Sequence, residues 1–169
     1  MSKEIVTSFY DAFKKLDADT MEKYYHELAY FSDPVFRDLT AEETMTMWRM
    51  LFERSKGNLD VHYHSVEELE DDKVTLIWEA KYAYGKGRRP VHNIIRATMT
   101  LEDDLIILHE DSFDFWKWTR MALGSVGTVL GWSPYLRGVV RNQARSALMS
   151  YIIDNLETTP SSDSSSEET

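Results

Sequence analysis

KVTLIWEAKYAY, residues 73–84, decides the fold. Val74, Leu76, Trp78, Ala80 and Tyr82 alternate with Lys73, Thr75, Glu79 and Lys81, the period-two pattern of a strand with one buried face. LDVHYHSVEEL (59–69), PVHNIIRATMTL (90–101) and LIILHEDSFDF (105–115) flank it with the same period. The breaks Glu70-Asp71-Asp72, Gly85-Lys86-Gly87 and Glu102-Asp103-Asp104 are short enough for hairpins. Four successive strands in an antiparallel meander follow.

Upstream the period becomes helical. Ile5, Phe9, Ala12, Phe13 and Leu16 predict an amphipathic helix over 3–16. Asp19-Thr-Met-Glu22 has the form of a capping box, and its helix would carry Tyr24, Tyr25 and Leu28. AYFSDPVFRDL (29–39) reads as a short extended segment, because Pro34 biases Asp33 away from helix. Thr40-Ala-Glu-Glu43 is a second capping box, opening a helix with Trp48, Leu51 and Phe52 on its buried face and Gly57-Asn58 at its stop. Downstream, Trp116 to Leu123 starts a helical piece, and ALGSVGTVLGW (122–132) is apolar but interrupted by glycines. Ser133-Pro134 supplies N-cap and first position of a last helix running to about Leu156. The domain spans 1–156. Residues 157–169 are expected to form a disordered, acidic, Ser-rich tail.

Composition sets outer bounds. The 169 residues suit one domain with a real core. With no cysteine there is no disulfide, thiolate ligand or thiol nucleophile, which fits a cytoplasmic location. The N-terminus lacks the apolar run of a signal peptide. Net charge is −10. Five acids (Asp154, Glu157, Asp163, Glu167 and Glu168) lie beyond Ser150, where no Lys or Arg occurs, so residues 1–150 carry 24 acids and 19 bases. An acidic body disfavours nucleic-acid binding.

FYDAF (9–13), SDPVFRD (32–38), RPVHNIIRA (89–97) and HEDSFDFW (109–116), within this helix and strand order, resemble the nuclear-transport-factor-2-like superfamily, in its SnoaL-like and ketosteroid-isomerase-like branch. The resemblance covers roughly residues 3–150. It implies an α+β fold: a cone-shaped curved antiparallel sheet wrapped around the N-terminal helices, a cystatin-like α+β barrel, here with an extra C-terminal helix. It also implies a hydrophobic pocket for a small molecule, acid/base chemistry without cofactor, and a homodimer formed through the outer sheet face.

Residue by residue, Asp33-Pro34 matches the Asp-Pro that supplies the general base of ketosteroid isomerases; otherwise Asp-Pro is a turn former. Those enzymes also use a Tyr on helix one and a neutral Asp on a strand as oxyanion donors. The nearest positions here are Phe9 and Ile95, which cannot donate, and Tyr10 lies about 100° around the helix from Phe9. The Arg-x-Asp pair of the epoxide hydrolases is not reproduced, although Asn93 with Asp111 would position a water. Asp111 resembles the late-strand Asp of SnoaL-like cyclases. The alternation places Leu105, Ile107, His109, Asp111 and Phe113 on one face, with Asp114 opposite. The candidate catalytic set is therefore Asp33, Asp111, Asn93 and His109, with Tyr24, Trp48, Trp78 and Phe113 as pocket wall.

Other features have plainer readings. His62 and His64 with His92 could hold Zn²⁺ only if they converge; a solvated or dimer-facing surface is favoured, so no metal is expected. Arg137, Arg141 and Arg145 form one stripe on the last helix. Packing of that helix on the protein's own acids is favoured over membrane contact. Besides an enzyme, a non-catalytic carrier of a small hydrophobic molecule would need the same cavity, and a cavity filled by side chains would favour a dimeric protein-interaction module.

Overall fold

The computed structural model describes residues 1–69 and 72–158. Helices α1 (Ser2–Lys14) and α2 (Ala18–Glu22) lead into β1 (Tyr25–Ser32) and the two-residue β2 (Leu39–Thr40). Helix α3 (Ala41–Ser55) then precedes the meander β3 (Asp60–Glu68), β4 (Lys73–Tyr84), β5 (Arg89–Glu102) and β6 (Leu105–Ser112). Helices α4 (Phe115–Leu123), α5 (Ser125–Leu130) and α6 (Pro134–Thr158) complete it. The expected tail from 159 on lies outside the described residues.

The architecture is the expected α+β one, a curved, unclosed six-stranded sheet in the order β2-β1-β6-β5-β4-β3, with α1 and α3 against its inner face. The meander pairs antiparallel as read from the sequence. One pairing is parallel, β1 with β6, which joins the N-terminal segment to the end of the meander.

Three local readings are corrected. The second helix is a single turn and a half, capped by Asp17 rather than Asp19: the Asp17 carboxylate accepts from Thr20 N–H. Tyr25 and Leu28 are not helical but belong to β1, because Tyr25, Ala29 and Phe31 bury into the core between strand and helices. In β6 the inward residue is Ile106, with Leu105 and Ile107 only part-buried. The register slips there: Leu101 faces Ile106 but Thr100 faces Leu108, so Ile107 is the extra residue of a bulge. The slip restores the alternation, and His109 and Asp111 still point inward, opposite Met99 and Ala97.

The second capping box stands as read: Thr40 Oγ1 accepts from Glu43 N–H while the Glu43 carboxylate accepts from Thr40 N–H. The core joins Val6, Phe9, Tyr10 and Phe13 of α1 to Trp48 of α3 and Trp78 of β4. A second cluster, Val91, Phe115, Trp118, Ala122, Leu136 and Val140, seals α4 and α6 against the far end of the sheet. Val35, Tyr82 and Phe113 bridge the two.

The three arginines of α6 all engage the body. Arg137 lies over the Phe115 ring, Arg141 Nε donates to Pro34 O (2.9 Å), and Arg145 stands 3.9 Å from Glu43. Among the described residues only the last forms an ion pair with an acid, but the helix packs on the body as expected.

Helix α5 contacts α4 through glycine. A Cβ at Gly127 would stand 1.9 Å from Thr119 O, and one at Gly131 2.1 Å from Thr119 Oγ1. At Gly127 the obstacle is backbone, so turning a side-chain tip cannot relieve the contact. Gly127→Ala should therefore destabilise the protein by about 1–3 kcal/mol, read as a lowered midpoint in denaturant unfolding.

Candidate active site

Residues from five elements, α1, β1, α3, β4 and β6, meet at the closed end of the curved sheet. The Tyr25 hydroxyl lies 2.6 Å from His109 Nδ1, and His109 Nε2 lies 3.1 Å from Asp111 Oδ1. Trp78 Nε1 donates to the same oxygen at 3.3 Å. The network fixes the tautomer: an acceptor-only carboxylate takes the Nε2 proton, so Nδ1 accepts from the tyrosine. The chain Tyr25–His109–Asp111 is thus an ordered donor–acceptor relay. His109 is wholly buried and sits among the rings of Phe9, Tyr25, Phe31 and Trp48. Asp111 keeps its second oxygen free of hydrogen bonds among the described residues.

Two buried donors near this relay have no partner among the described residues: the Tyr10 hydroxyl and Trp48 Nε1. The Trp48 N–H faces the Tyr25 oxygen but misses hydrogen-bond geometry. Burial, then the charge of Asp111, then Tyr25 hold the Tyr10 hydroxyl well above the usual phenol range. Burial does the same for Tyr25. Both therefore remain donors across the physiological range.

Asp33 arrives by the parallel pairing. Phe31 faces His109 and Ser32 faces Glu110, so the next residue lies alongside Asp111. Its Oδ1 accepts from Val35 N–H (2.6 Å) and Phe36 N–H, and its own N–H donates to Phe36 O (2.7 Å). This is the Asp-Pro turn of the plainer reading. The turn uses one oxygen only, and Oδ2 is left without a hydrogen bond among the described residues. Asp33 retains some surface exposure although protein surrounds it densely. Its carboxyl is pushed up to about 7. Burial is the main cause; the charge of Asp111 adds to it, while the two backbone N–H groups and Arg141 oppose it. A pair of acids at one apolar site, one raised toward neutrality, is the arrangement of an acid/base group.

The other sequence candidates are distributed as follows. Trp48 and Trp78 line the relay. Phe113 sits at the seam between the two clusters. Asn93 is buried and faces inward, but it pairs with Ala80, four residues along β5 from Ala97 opposite Asp111. That is about 13 Å along the strand, too far for Asn93 and Asp111 to share one water. Tyr24 is part-buried, and its neighbour Tyr25 takes the place at the relay. Tyr10 and Tyr25 were missed. The spacing Val6, Phe9, Tyr10, Phe13 held the signal for Tyr10, since it is the i, i+3, i+4, i+7 stripe of α1. Tyr25 was hidden by reading β1 as helix.

On the outer sheet face Glu79 stands between His64 (3.3 Å) and His92 (2.5 Å), while His62 turns to Asp60 (3.1 Å). Hydrogen bonding to His92 is the main reason that the Glu79 carboxyl lies below its usual range. No group of three or more His, Asp or Glu among the described residues is arranged to hold a metal ion. No described helix is long and apolar enough to cross a membrane.

A model of the SnoaL-like domain matches residues 6–109. The chain belongs to the SnoaL-like family. The match stops short of Asp111 and of α4–α6. Among solved structures, Bal32a from a soil-derived mobile gene cassette is 17% identical over 71% of this chain and 95% of its own, with a TM-score of 0.62. An epoxide hydrolase of the LEH-like type from M. tuberculosis is 20% identical over 76% of this chain and 95% of its own, TM-score 0.58. A putative polyketide cyclase from Xanthomonas campestris is 12% identical over 71% and 95%, TM-score 0.56. At these identities the likeness shows the fold. No curated protein matches the chain significantly.

Two measurements check the SnoaL-like site. Because the folded Asp33 binds its proton up to about 7 and the unfolded one only to about 4, folding takes up a proton between those values. The Asp33 contribution should therefore favour the fold at low pH and fade as pH rises through that window. Asp33→Asn should flatten this part of the stability profile and add about 1–3 kcal/mol at pH 8. Tyr25→Phe should cost about 1–3 kcal/mol, because His109 Nδ1 is left buried and unpaired; denaturant unfolding reads both.

Proposed function

We propose that this SnoaL-like domain performs cofactor-free acid/base chemistry of isomerase, cyclase or hydrolase type on a small hydrophobic molecule. The observation that carries the reading is Asp33, a carboxyl raised to about 7 with one oxygen open, beside a second carboxylate. As a base it takes a proton from a C–H next to a carbonyl, or from water; as an acid it returns the proton at another atom of the substrate. The Tyr10 hydroxyl and Trp48 N–H, both unpartnered, are suited to meet negative charge developing on an oxygen. Asp111, held by Trp78 and His109, keeps the proton affinity of Asp33 high. The match to the SnoaL-like family, and the fold shared with proteins described as an epoxide hydrolase and a putative polyketide cyclase, supports this class of chemistry.

The substrate binds at the mouth, between Asp33 and the inner face of α6. The closed end is filled, with ring centroids 4.8 Å apart for Phe13–Trp48 and 5.0 Å for Phe13–Trp78. Reaching Tyr10 requires the substrate to displace part of this packing.

That filled interior favours a second reading: a protein-interaction module, dimeric through the outer sheet face, where Ile94 is exposed between His92 and Arg96. Native mass spectrometry of the purified chain, with extraction of any bound compound, distinguishes them. A co-purified hydrophobic molecule supports a working pocket, and retention of cargo without turnover supports a carrier. On an identified substrate, Asp33→Asn should abolish turnover, and Tyr10→Phe should lower kcat by about 10²–10³. The rate should rise with pH through about 7 if Asp33 is the base. Unchanged turnover in both Asp33→Asn and Asp111→Asn sinks the acid/base assignment. A monomer made by Ile94→Lys from a dimeric wild type, with no bound compound in either, would favour the module.

A further inference from the structure

The glycine contacts of α5 decide which way that helix faces. Gly127 is buried against α4, and Gly131 against Thr119 and Trp116. The small face is inside, so the large apolar side chains are outside. Val126, Val129 and Leu130 are 53%, 64% and 42% exposed, and the turn that follows adds Trp132 at 70% and Tyr135 at 77%. Trp116 of α4 is also exposed. A helix normally buries its apolar residues and shows its small ones. Here the order is reversed, and a contiguous apolar surface results at one end of the molecule.

Bases surround this surface. Lys117 and Arg120 project from α4, and Arg120 lies over the Trp116 ring. The β4–β5 turn brings Lys86, Arg88 and Arg89 to the same end, with Arg89 Nε donating to Met121 O and its guanidinium against Gly124. None of these five bases is paired with a carboxylate among the described residues. From Phe115 to Ile153 the sequence holds five bases and no acid, in a chain of net charge −10. An open cleft between α4 and α5 is lined by Trp116, Lys117, Arg120, Met121 and Thr128. Asp114 also lines it, but its carboxylate is turned to Lys117 N–H as the cap of α4.

We propose that this end of the molecule docks on an anionic lipid surface. The side chains of α5 and the turn, with Trp132 and Tyr135, enter the headgroup boundary, while Lys86, Arg88, Lys117 and Arg120 meet the lipid phosphates. Charge complementarity selects this occupant: a basic rim fits an anionic bilayer, whereas a second copy meeting it with the same surface would set basic rim against basic rim. Shape agrees, because side chains exposed by half or more stand out from the surface, as insertion into a fluid interface requires. The surface is distinct from the stripe of α6, whose arginines are engaged with the body, and the proposal does not rest on the acid/base reading.

Co-sedimentation of the full chain with vesicles tests it. Binding is expected on phosphatidylcholine containing phosphatidylglycerol, is weak on phosphatidylcholine alone, and falls with added salt. Each base neutralised in Lys117→Gln and Arg120→Gln should lower partitioning about fivefold. The pair Val129→Ser with Trp132→Ser should lower it at least as much. Both sets replace exposed residues, so an unchanged thermal midpoint shows that the fold is intact. Absence of binding to anionic vesicles at low salt overturns the proposal. So does binding that Val129→Ser with Trp132→Ser leaves unchanged. Concentration-dependent self-association abolished by Trp132→Ser, without vesicle binding, would assign the surface to a second copy instead.

Discussion

The parallel pairing of β1 with β6 brings together residues about eighty positions apart. A parallel pair cannot be closed by a hairpin, so everything between must form the crossover. Here that crossover contains α3 and the whole meander to β6. The packing of α3 and α1 against the inner face holds the arrangement, because β1 contributes only a few ladder bonds and breaks register between Tyr25 and Tyr30. Phe31 facing His109 is the contact that fixes register at the site. Move it by two residues and Asp33 no longer lies beside Asp111.

Placing polar groups at that closed end carries a cost. His109, Asp111 and Tyr25 are all removed from water, and an unpaired member would cost about 1–3 kcal/mol. The relay satisfies the ring nitrogens of His109 and one oxygen of Asp111. It does not satisfy Tyr10 or Trp48. An apolar core could be assembled from the same helices with Phe at position 10, losing nothing in packing. Retaining a buried hydroxyl with no partner is a departure from the rule that buried donors are paired. Such departures concentrate where a protein binds something.

The fold was legible because its signals are local and redundant. Alternation in KVTLIWEAKYAY, three short breaks and the Thr40 capping box each point to the observed elements. Where a signal was absent, the reading failed. Nothing local distinguishes YHELAYFS as strand from a continuation of α2, since its partner β6 lies far away in sequence. The bulge at Ile107 leaves no mark either: the expected face of β6 was right at His109 and Asp111 only because the slip exchanged Ile107 for Ile106 and then restored the alternation. The site was half legible. Asp33 and Asp111 carry recognisable surroundings, but their proximity is a product of the parallel pairing. Tyr10 was visible as part of a stripe, yet its use depends on which face of α1 meets the sheet.

The closed end and the mouth obey different constraints. At the closed end, tight ring packing holds His109 and Asp111 rigidly and excludes water, which keeps the field of Asp111 unscreened. At the mouth, a group must be reachable. Asp33 stands where the two meet: its Oδ1 is spent on the turn that positions it, and Oδ2 has no hydrogen bond among the described residues. Arg141 on α6 is near enough to lower its proton affinity slightly, and the same residue holds α6 to Pro34. Movement of α6 would thus change both the access to Asp33 and its charge state. Burial outweighs the Arg141 charge, so the carboxyl holds its proton up to about 7 despite the nearby cation.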